Sequence, residues 1–207
     1  MFLHGTVSRM STDEAPETVQ PPTVLHLDAT AIKVLAHPLR SRLLSTLRAG
    51  GSATATALAQ RIGTNTGATS YHLRRLASVG LVEETGEGHG RERWWRAATA
   101  MHSFTQRDAV GDPDAQAAAD WLRRYYLRSF AERFERWLDV QETWPIEWQE
   151  VADASDRLIH VSPARLAQLE AELSATIERY VDAESADADA QPVEIHVHAF
   201  PIPELKR

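Results

Sequence analysis

The stretch TNTGATSYHLRRLASVGLVEE (residues 64–84) decides the fold, because it predicts a capped helix that stops at a glycine and runs directly into a strand. Thr64 or Asn65 can cap the helix, and Gly80 ends it. At about 100° per residue, the inward face is predicted to hold Thr66, Thr69, Leu73, Leu76 and Ala77. The opposite, free face holds Ala68, Tyr71, Arg74, Arg75 and Ser78, with His72 between the two faces.

Three further helices are predicted before this one. SATATALAQRIG (52–63) indicates a short helix that Ser52 or Thr54 caps and Gly63 stops. Upstream, DATAIKVLAHPLRSRLLSTLRAGG (28–51) has apolar residues at helical spacing, and Pro38 divides it into two helices. The two short helices joined at Gly63 are typical of a helix-turn-helix.

After the helices, LVEETGEGHGRERWWRAA (81–98) predicts two strands, at about 81–85 and 91–97, around a glycine-rich loop. This is the pattern of a β-hairpin wing. Trp94 and Trp95 must point to opposite faces of the second strand, so one of them is expected to fill the core.

The rest of the chain predicts a separate, mostly helical part. A long helix over 113–141 carries apolar and aromatic residues at three-and-four spacing, which suits a dimerisation element. A short helix after Pro145, a strand at 157–161, a helix that begins at Ser162 and Pro163, and a strand ending at Phe200 follow. We expect a mainly α fold with small β elements: a flexible arm (1–24), a winged helix-turn-helix domain (25–100) and an α-helical (α+β) dimerisation or effector domain (101–207).

The charge is distributed unevenly along the 207 residues. The net charge of −7 divides into −3 for the first thirty residues, +6 for 31–98 and −10 for the remainder. A basic module joined to an acidic one is typical of a nucleic-acid reader that carries a separate oligomerisation or sensing part.

Composition excludes several classes of function. The chain has no cysteine, so disulfides, thiolate metal sites and a cysteine nucleophile are ruled out. No stretch of about 18 apolar residues occurs, which predicts no membrane span and a cytoplasmic location. No Ser, His and Asp spacing supports a catalytic triad, so we predict neither an enzyme nor a cofactor.

The predicted DNA contacts lie on the free face of the fourth helix and on the wing, because a helix fits the major groove and reads base edges there. Arg74 can pair with a guanine or a phosphate, and Arg75 is expected to take phosphate. The full predicted set comprises Asn65, Thr66, Gly67, Ala68, Ser70, Tyr71, His72, Arg74, Arg75, Arg91 and Arg93.

VLAHPLRSRLLSTL, ATALAQRIG, TGATSYHLRRLASVGLVEE and GRERWWRA together resemble ArsR-type winged-helix transcription regulators over residues 30–98. The resemblance implies a recognition helix at about 65–79, a homodimer and a duplex DNA target. Metal-sensing members carry cysteines where this chain has ATALAQRIG, so a thiolate sensor is absent. From these observations we predict a DNA-binding transcription regulator, acting as a homodimeric repressor.

Two alternatives remain open. The aromatic residues of the long helix are a dimer seam or, alternatively, line a cavity for a small-molecule effector; they are Trp121, Tyr125, Phe130, Phe134 and Trp137. His196 and His198 share one face of the predicted last strand, which suits a metal, but no third ligand is adjacent, and a structural pair is favoured.

Overall fold

The computed structural model describes residues 24–87, 93–152, 154–181 and 189–203. The strands are β1 (Val24–His26), β2 (Ala53–Thr54), β3 (Val82–Glu84), β4 (Trp94–Ala97) and β5 (Met101–Ser103). The helices are α1 (Ala29–Leu35), α2 (Pro38–Gly50), α3 (Ala55–Ile62), α4 (Thr66–Ala77), α5 (Pro113–Val140), α6 (Ile146–Val151) and α7 (Pro163–Val181), with 3-10 turns at Gln106–Ala109 and Gln141–Thr143. The predicted mainly α fold with small β elements is confirmed.

Local signals set the ends of the helices as the sequence predicts. Pro38 is the first residue of α2, where its missing N–H removes no intrahelical hydrogen bond. Thr54 caps α3, and Gly63 ends it in the left-handed conformation at φ 74°, which favours glycine.

A three-stranded antiparallel sheet of order β2-β4-β3 forms the wing side of the domain. Val82 pairs with Ala97 and Glu84 with Trp95, so β3 and β4 are the two sides of the predicted hairpin. Trp95 is buried, whereas Trp94 is half-buried, as their opposite orientations predict. The tip of the hairpin, residues 88–92, lies outside the described residues.

A second, parallel sheet joins β1 to β5 and was not predicted from the sequence. Val24 therefore begins a strand instead of ending the predicted arm; the rest of that arm lies outside the described residues. The imidazole of His26 contacts the Asp108 carboxylate at 2.8 Å, which ties the start of the described chain to the segment before α5.

One apolar core unites the four N-terminal helices, the three-stranded sheet and the first half of α5. Fully buried side chains include Ile32, Leu44, Leu73 and Leu81, and Leu122 of α5 completes the cluster. Apolar burial of this kind is the main source of stability in a globular domain.

The two predicted C-terminal strands, at 157–161 and 192–200, are wrong. Both segments lack regular structure in the described residues, and their apolar side chains, such as Ile159 and Ile195, are exposed. Alternation of apolar and polar residues is insufficient for a strand when no neighbouring strand accepts its backbone hydrogen bonds. None of the described helices is long and apolar enough to cross a membrane.

Candidate nucleic-acid interface

Helix α4 is held by its inward face, which leaves the opposite face free. Thr69, Leu73 and Leu76 are buried, whereas Tyr71 and Arg74 are exposed. Asn65 caps the helix, because its Oδ1 accepts a hydrogen bond from the Ala68 backbone N–H at 2.8 Å. The burial pattern thus agrees with the predicted periodicity from Thr69 onward.

Thr66 departs from that prediction, because the structure leaves it exposed instead of turned inward. It is the first residue of α4, one turn before the first buried position at Thr69. The first turn, which also contains Gly67 and Ala68, therefore extends beyond the core. The Asn65 cap takes the Ala68 N–H, and the N–H groups of Thr66 and Gly67 have no acceptor within the helix.

A concave surface brings α3, α4 and the wing together. Its lining is formed by Thr54, Ala55, Thr56, Thr66, Ser70, Arg74, Arg93 and Trp95. Four predicted DNA contacts (Thr66, Ser70, Arg74 and Arg93) therefore meet in one place. The described residues that line it offer hydroxyl and guanidinium donors and no carboxylate, which suits a phosphate or a base edge.

The start of α3 belongs to this surface and was missed by the sequence analysis. The Oγ1 of Thr54 accepts a hydrogen bond from the Ala57 N–H at 3.2 Å and caps the helix, while Thr56 is the second residue of its first turn. A capped helix start beside the recognition helix attracts phosphate, and the SATAT stretch carries that signal in the sequence.

A second basic group lies beside α4. The Arg40 guanidinium donates to the Val34 carbonyl, and burial together with the neighbouring Arg75 lowers the pKa of Arg40. The rings of His37 and His72 lie 4.5 Å apart, and burial, with Arg40 nearby, lowers the pKa of both histidines. His72 is therefore neutral at neutral pH, and it packs on His37 instead of lining the concave surface.

The wing arginines are held by carboxylates of the opposite strand. The Nη1 of Arg93 lies 2.6 Å from the Oε1 of Glu84, and the Nε of Arg96 lies 2.7 Å from the Oε1 of Glu83. These pairs are exposed, so each contributes little to stability, and a phosphate can compete for the guanidinium. Arg91 lies outside the described residues.

The aromatic residues of α5 pair with separate neighbours along the helix. Trp121 stacks on Tyr125 with ring centroids 5.0 Å apart, and Phe130 stacks on His196 at 3.8 Å. Trp137 meets Trp144 edge-on, whereas Phe134 is 39% exposed. The five predicted residues are thus spread along the whole helix.

The two C-terminal histidines lie against α5. The rings of His196 and His198 are nearly parallel, with centroids 6.3 Å apart, and both lie close to Phe130. Among the described residues, no group of three or more His, Asp or Glu side chains is placed to hold a metal ion.

A family model described as a helix-turn-helix domain matches residues 35–85. The chain is 30% identical in sequence to a possible transcriptional regulatory protein (fragment 1–100) from Mycobacterium bovis, whose crystal structure is known. That match covers 44% of this chain and 89% of the other, with a TM-score of 0.31. A solution structure of Mycobacterium bovis Mb0332 (fragment 1–100), described as a homodimeric winged helix-turn-helix DNA-binding domain and a possible ArsR-family transcriptional regulator, is 29% identical; the match covers 44% of this chain and 77% of that one, with a TM-score of 0.31.

A crystal structure of a possible transcriptional regulator for arsenical resistance is 28% identical, covering 61% of this chain and 98% of that one, with a TM-score of 0.30. No curated protein matches the chain. TM-scores this low do not establish a shared overall fold, so the assignment comes from the family model and from the winged architecture of α1–α4 and β2–β4. Residues 35–85 therefore match a helix-turn-helix domain, and the arrangement of α1–α4 with the strands β2–β4 is that of its winged form.

Proposed function

We propose that the protein is a homodimeric repressor that binds duplex DNA sequence-specifically, with α4 in the major groove and the wing on the adjacent backbone or minor groove. The observation that carries the proposal is the concave surface at which α3, α4 and β4 meet. An α-helix with one buried and one free face fits the major groove, and the wing beside it supplies contacts to the flanking backbone.

Within this surface the side chains take different parts. Arg74, exposed near the middle of the free face, pairs with a guanine edge, for which the guanidinium fork is suited. Thr66 and Ser70 donate hydroxyl hydrogen bonds to phosphates or bases. Arg75 and Arg93 bind phosphate, which fixes the position of the protein without reading sequence.

The homodimer is supported by the second half of α5. Leu127, Phe134 and Leu138 follow one another at spacings of seven and four residues and are all exposed in the single chain. An apolar seam of this kind on a 28-residue helix is the surface that a second copy of the helix covers in a coiled coil. The Mycobacterium bovis domain, which is described as homodimeric, supports the same assembly.

A dimer with two recognition helices reads two half-sites about one helical turn apart, so the operator is expected to be a pseudo-palindrome. Occupation of such a site blocks access to a promoter, which is the basis of the proposed repression.

The test is binding of the full chain to duplexes from the region upstream of its own coding sequence, compared with random duplex at two salt concentrations. We expect binding that weakens with salt and prefers the upstream region by about a thousandfold or more. Equal affinity for both duplexes contradicts sequence-specific recognition, and a footprint with a single half-site contradicts the dimer.

A further inference from the structure

A groove rich in arginine lies between α2, the end of α3 and α5, away from the concave surface. Five guanidinium side chains and one carboxylate line it: Arg42, Arg61, Arg128, Arg133, Arg136 and Glu132. Its volume of about 520 Å³ lies within the range of pockets that hold small ligands.

The positive charges in this groove are incompletely balanced. Within the described residues, Arg133 forms an ion pair with Glu194, but Arg61, Arg128 and Arg136 form none. Arg42 donates to the Ile62 carbonyl at 3.0 Å, which leaves its charge uncompensated. Because like charges at close range repel, and the chain as a whole is acidic, this concentration of arginine favours an anion from outside the chain.

One of the groove arginines, Arg133, already pairs with a carboxylate from outside the lining of the groove. The Oε2 of Glu194 lies 2.6 Å from the Nε of Arg133, although the two residues are 61 positions apart in the chain. Charged hydrogen bonds of this length are the strong ones, and a guanidinium fork matches carboxylate and phosphate oxygens equally well. Tyr125, stacked on Trp121, and the hydroxyl of Ser129 add an aromatic face and a hydrogen-bond donor to the same groove.

We infer that this arginine groove binds a small anion that carries several phosphate or carboxylate groups. The site shares no lining residue with the concave surface, because the first residues of α3 line one and the last residues of α3 line the other. The eight residues of α3 span about 12 Å, which separates the two surfaces. The anion site is thus spatially distinct from the proposed contact with DNA.

Isothermal titration of the full chain without DNA tests the inference, with inorganic pyrophosphate and citrate as the probes. The double variant R128Q/R136Q removes two groove charges, and R165Q/R179Q makes the same charge change on the exposed face of α7. We expect saturable binding of one anion per chain, weakened about tenfold or more in R128Q/R136Q and within about twofold of the unchanged protein in R165Q/R179Q. The ratio of the two probe affinities distinguishes phosphate from carboxylate.

Three results overturn the inference: no saturable binding of either probe, equal weakening in both double variants, or a loss of pyrophosphate binding in Arg74→Ala that R128Q/R136Q does not show. A fourth result, weaker DNA binding by R128Q/R136Q with unchanged anion binding, also overturns the inference and indicates that the groove contacts DNA instead. Urea unfolding of each variant checks that the substituted, exposed arginines leave the fold intact.

Discussion

At the scale of single residues, Asn65 combines two properties that different substitutions separate. Its Oδ1 caps α4, and it lies at the exposed start of the helix that we place against DNA. Asn65→Ala removes the cap and is expected to lower the free energy of unfolding by about 1 kcal/mol. Asn65→Asp keeps an acceptor for the Ala68 N–H and complements the helix dipole, but it adds a negative charge where a phosphate would approach.

We therefore expect the free energy of unfolding of Asn65→Asp, measured in urea, to lie within about 0.5 kcal/mol of that of the unchanged protein. Its affinity for DNA should fall about tenfold. Asn65→Ala is the matched control, because it should lower the free energy of unfolding more than Asn65→Asp does and weaken DNA binding less. An Asp variant that binds DNA as tightly as the original would place the first turn of α4 away from the backbone.

Arg74 and Arg93 line the same surface, yet they are expected to affect DNA binding differently. Arg74→Ala removes a base contact, so it should lower the preference for the specific duplex by about 1–3 kcal/mol. Arg93→Ala removes a phosphate contact, so it should weaken specific and random duplex alike and lower the salt slope by about one. Fluorescence anisotropy over a salt series measures both the preference and the salt slope, with Arg165→Ala as the control. If Arg74→Ala lowers the salt slope and leaves the preference unchanged, Arg74 contacts phosphate and not a base.

How far these residues could be predicted depends on the range of the interactions that place them. The inward face of α4 follows from helical spacing, so Thr69, Leu73 and Leu76 could be predicted. Thr56 and the stack of His37 on His72 depend on how helices distant in sequence pack together, and the spacing along one helix contains no information on that packing.

At the scale of secondary-structure elements, three half-buried side chains connect α2, β5 and α5. Arg48 has only donors, so its contact of 2.7 Å with His102 makes Nδ1 the acceptor and places the imidazole proton on Nε2. His102 then donates to the Tyr126 Oη at 2.9 Å. Burial, together with the neighbouring Arg48, lowers the pKa of His102 to about 4.

This pKa predicts a pH dependence of stability with a definite sign. Between about pH 4 and the ordinary histidine pKa of about 6.5, His102 is protonated in the unfolded chain but not in the folded chain. The contribution is therefore fully present above pH 6.5 and is lost as the pH falls towards 4, by about 3 kcal/mol in total. Asp108, whose pKa the hydrogen bond from His26 lowers to about 2, titrates below this window.

Urea unfolding at several pH values should show this slope in the unchanged protein and a shallower one in His102→Gln. The lowered pKa values of His37, His72 and Glu194 act in the same direction and contribute to the slope that remains. An identical slope in both proteins would assign the pH dependence to groups other than His102.

The exposed seam of α5 gives a prediction on assembly. Phe134→Ser combined with Leu138→Ser removes two apolar side chains that are 39% and 47% exposed in the single chain. We expect the variant to sediment as a monomer at concentrations where the unchanged protein is a dimer, since burying the exposed part of each side chain contributes about 1 kcal/mol in each copy. Leu158→Ser changes a leucine outside the helices that is 62% exposed, and it should leave the dimer intact. Dissociation caused by that change would place the interface elsewhere.

The elements that escaped prediction share a physical cause. Strands β1 and β5 have three residues each, and they pair Leu25 with His102, which lies 77 positions away in the chain. No local sequence pattern therefore predicts them. The segments at 157–161 and 192–200 have strand-like alternation but no partner strand among the described residues. Pairing, which depends on the whole fold, decides both cases.

At the scale of the whole molecule, the apolar core is built from the first part of the described chain. The buried apolar side chains of the described residues run from Leu27 to Leu122, so the first half of α5 is part of the winged domain. Helix α7 contributes none, and its residues are exposed or half-buried throughout Pro163–Tyr180. The free energy of unfolding should therefore be determined almost entirely before residue 123.

Two truncations make this expectation quantitative. A chain that ends at Ala152 keeps the core and the α5 seam, so we expect an unfolding free energy within about 1 kcal/mol of the full chain and an unchanged affinity for the specific duplex. A chain that ends at Gly111 loses Ala115, Ala119 and Leu122 from the core, and it should not unfold cooperatively, because burial of a single leucine already contributes about 1.5–3 kcal/mol. If the chain ending at Ala152 also loses its cooperative transition, residues 153–207 stabilise the winged domain, and the contacts of Glu194 and His196 with α5 contribute more than their exposure indicates.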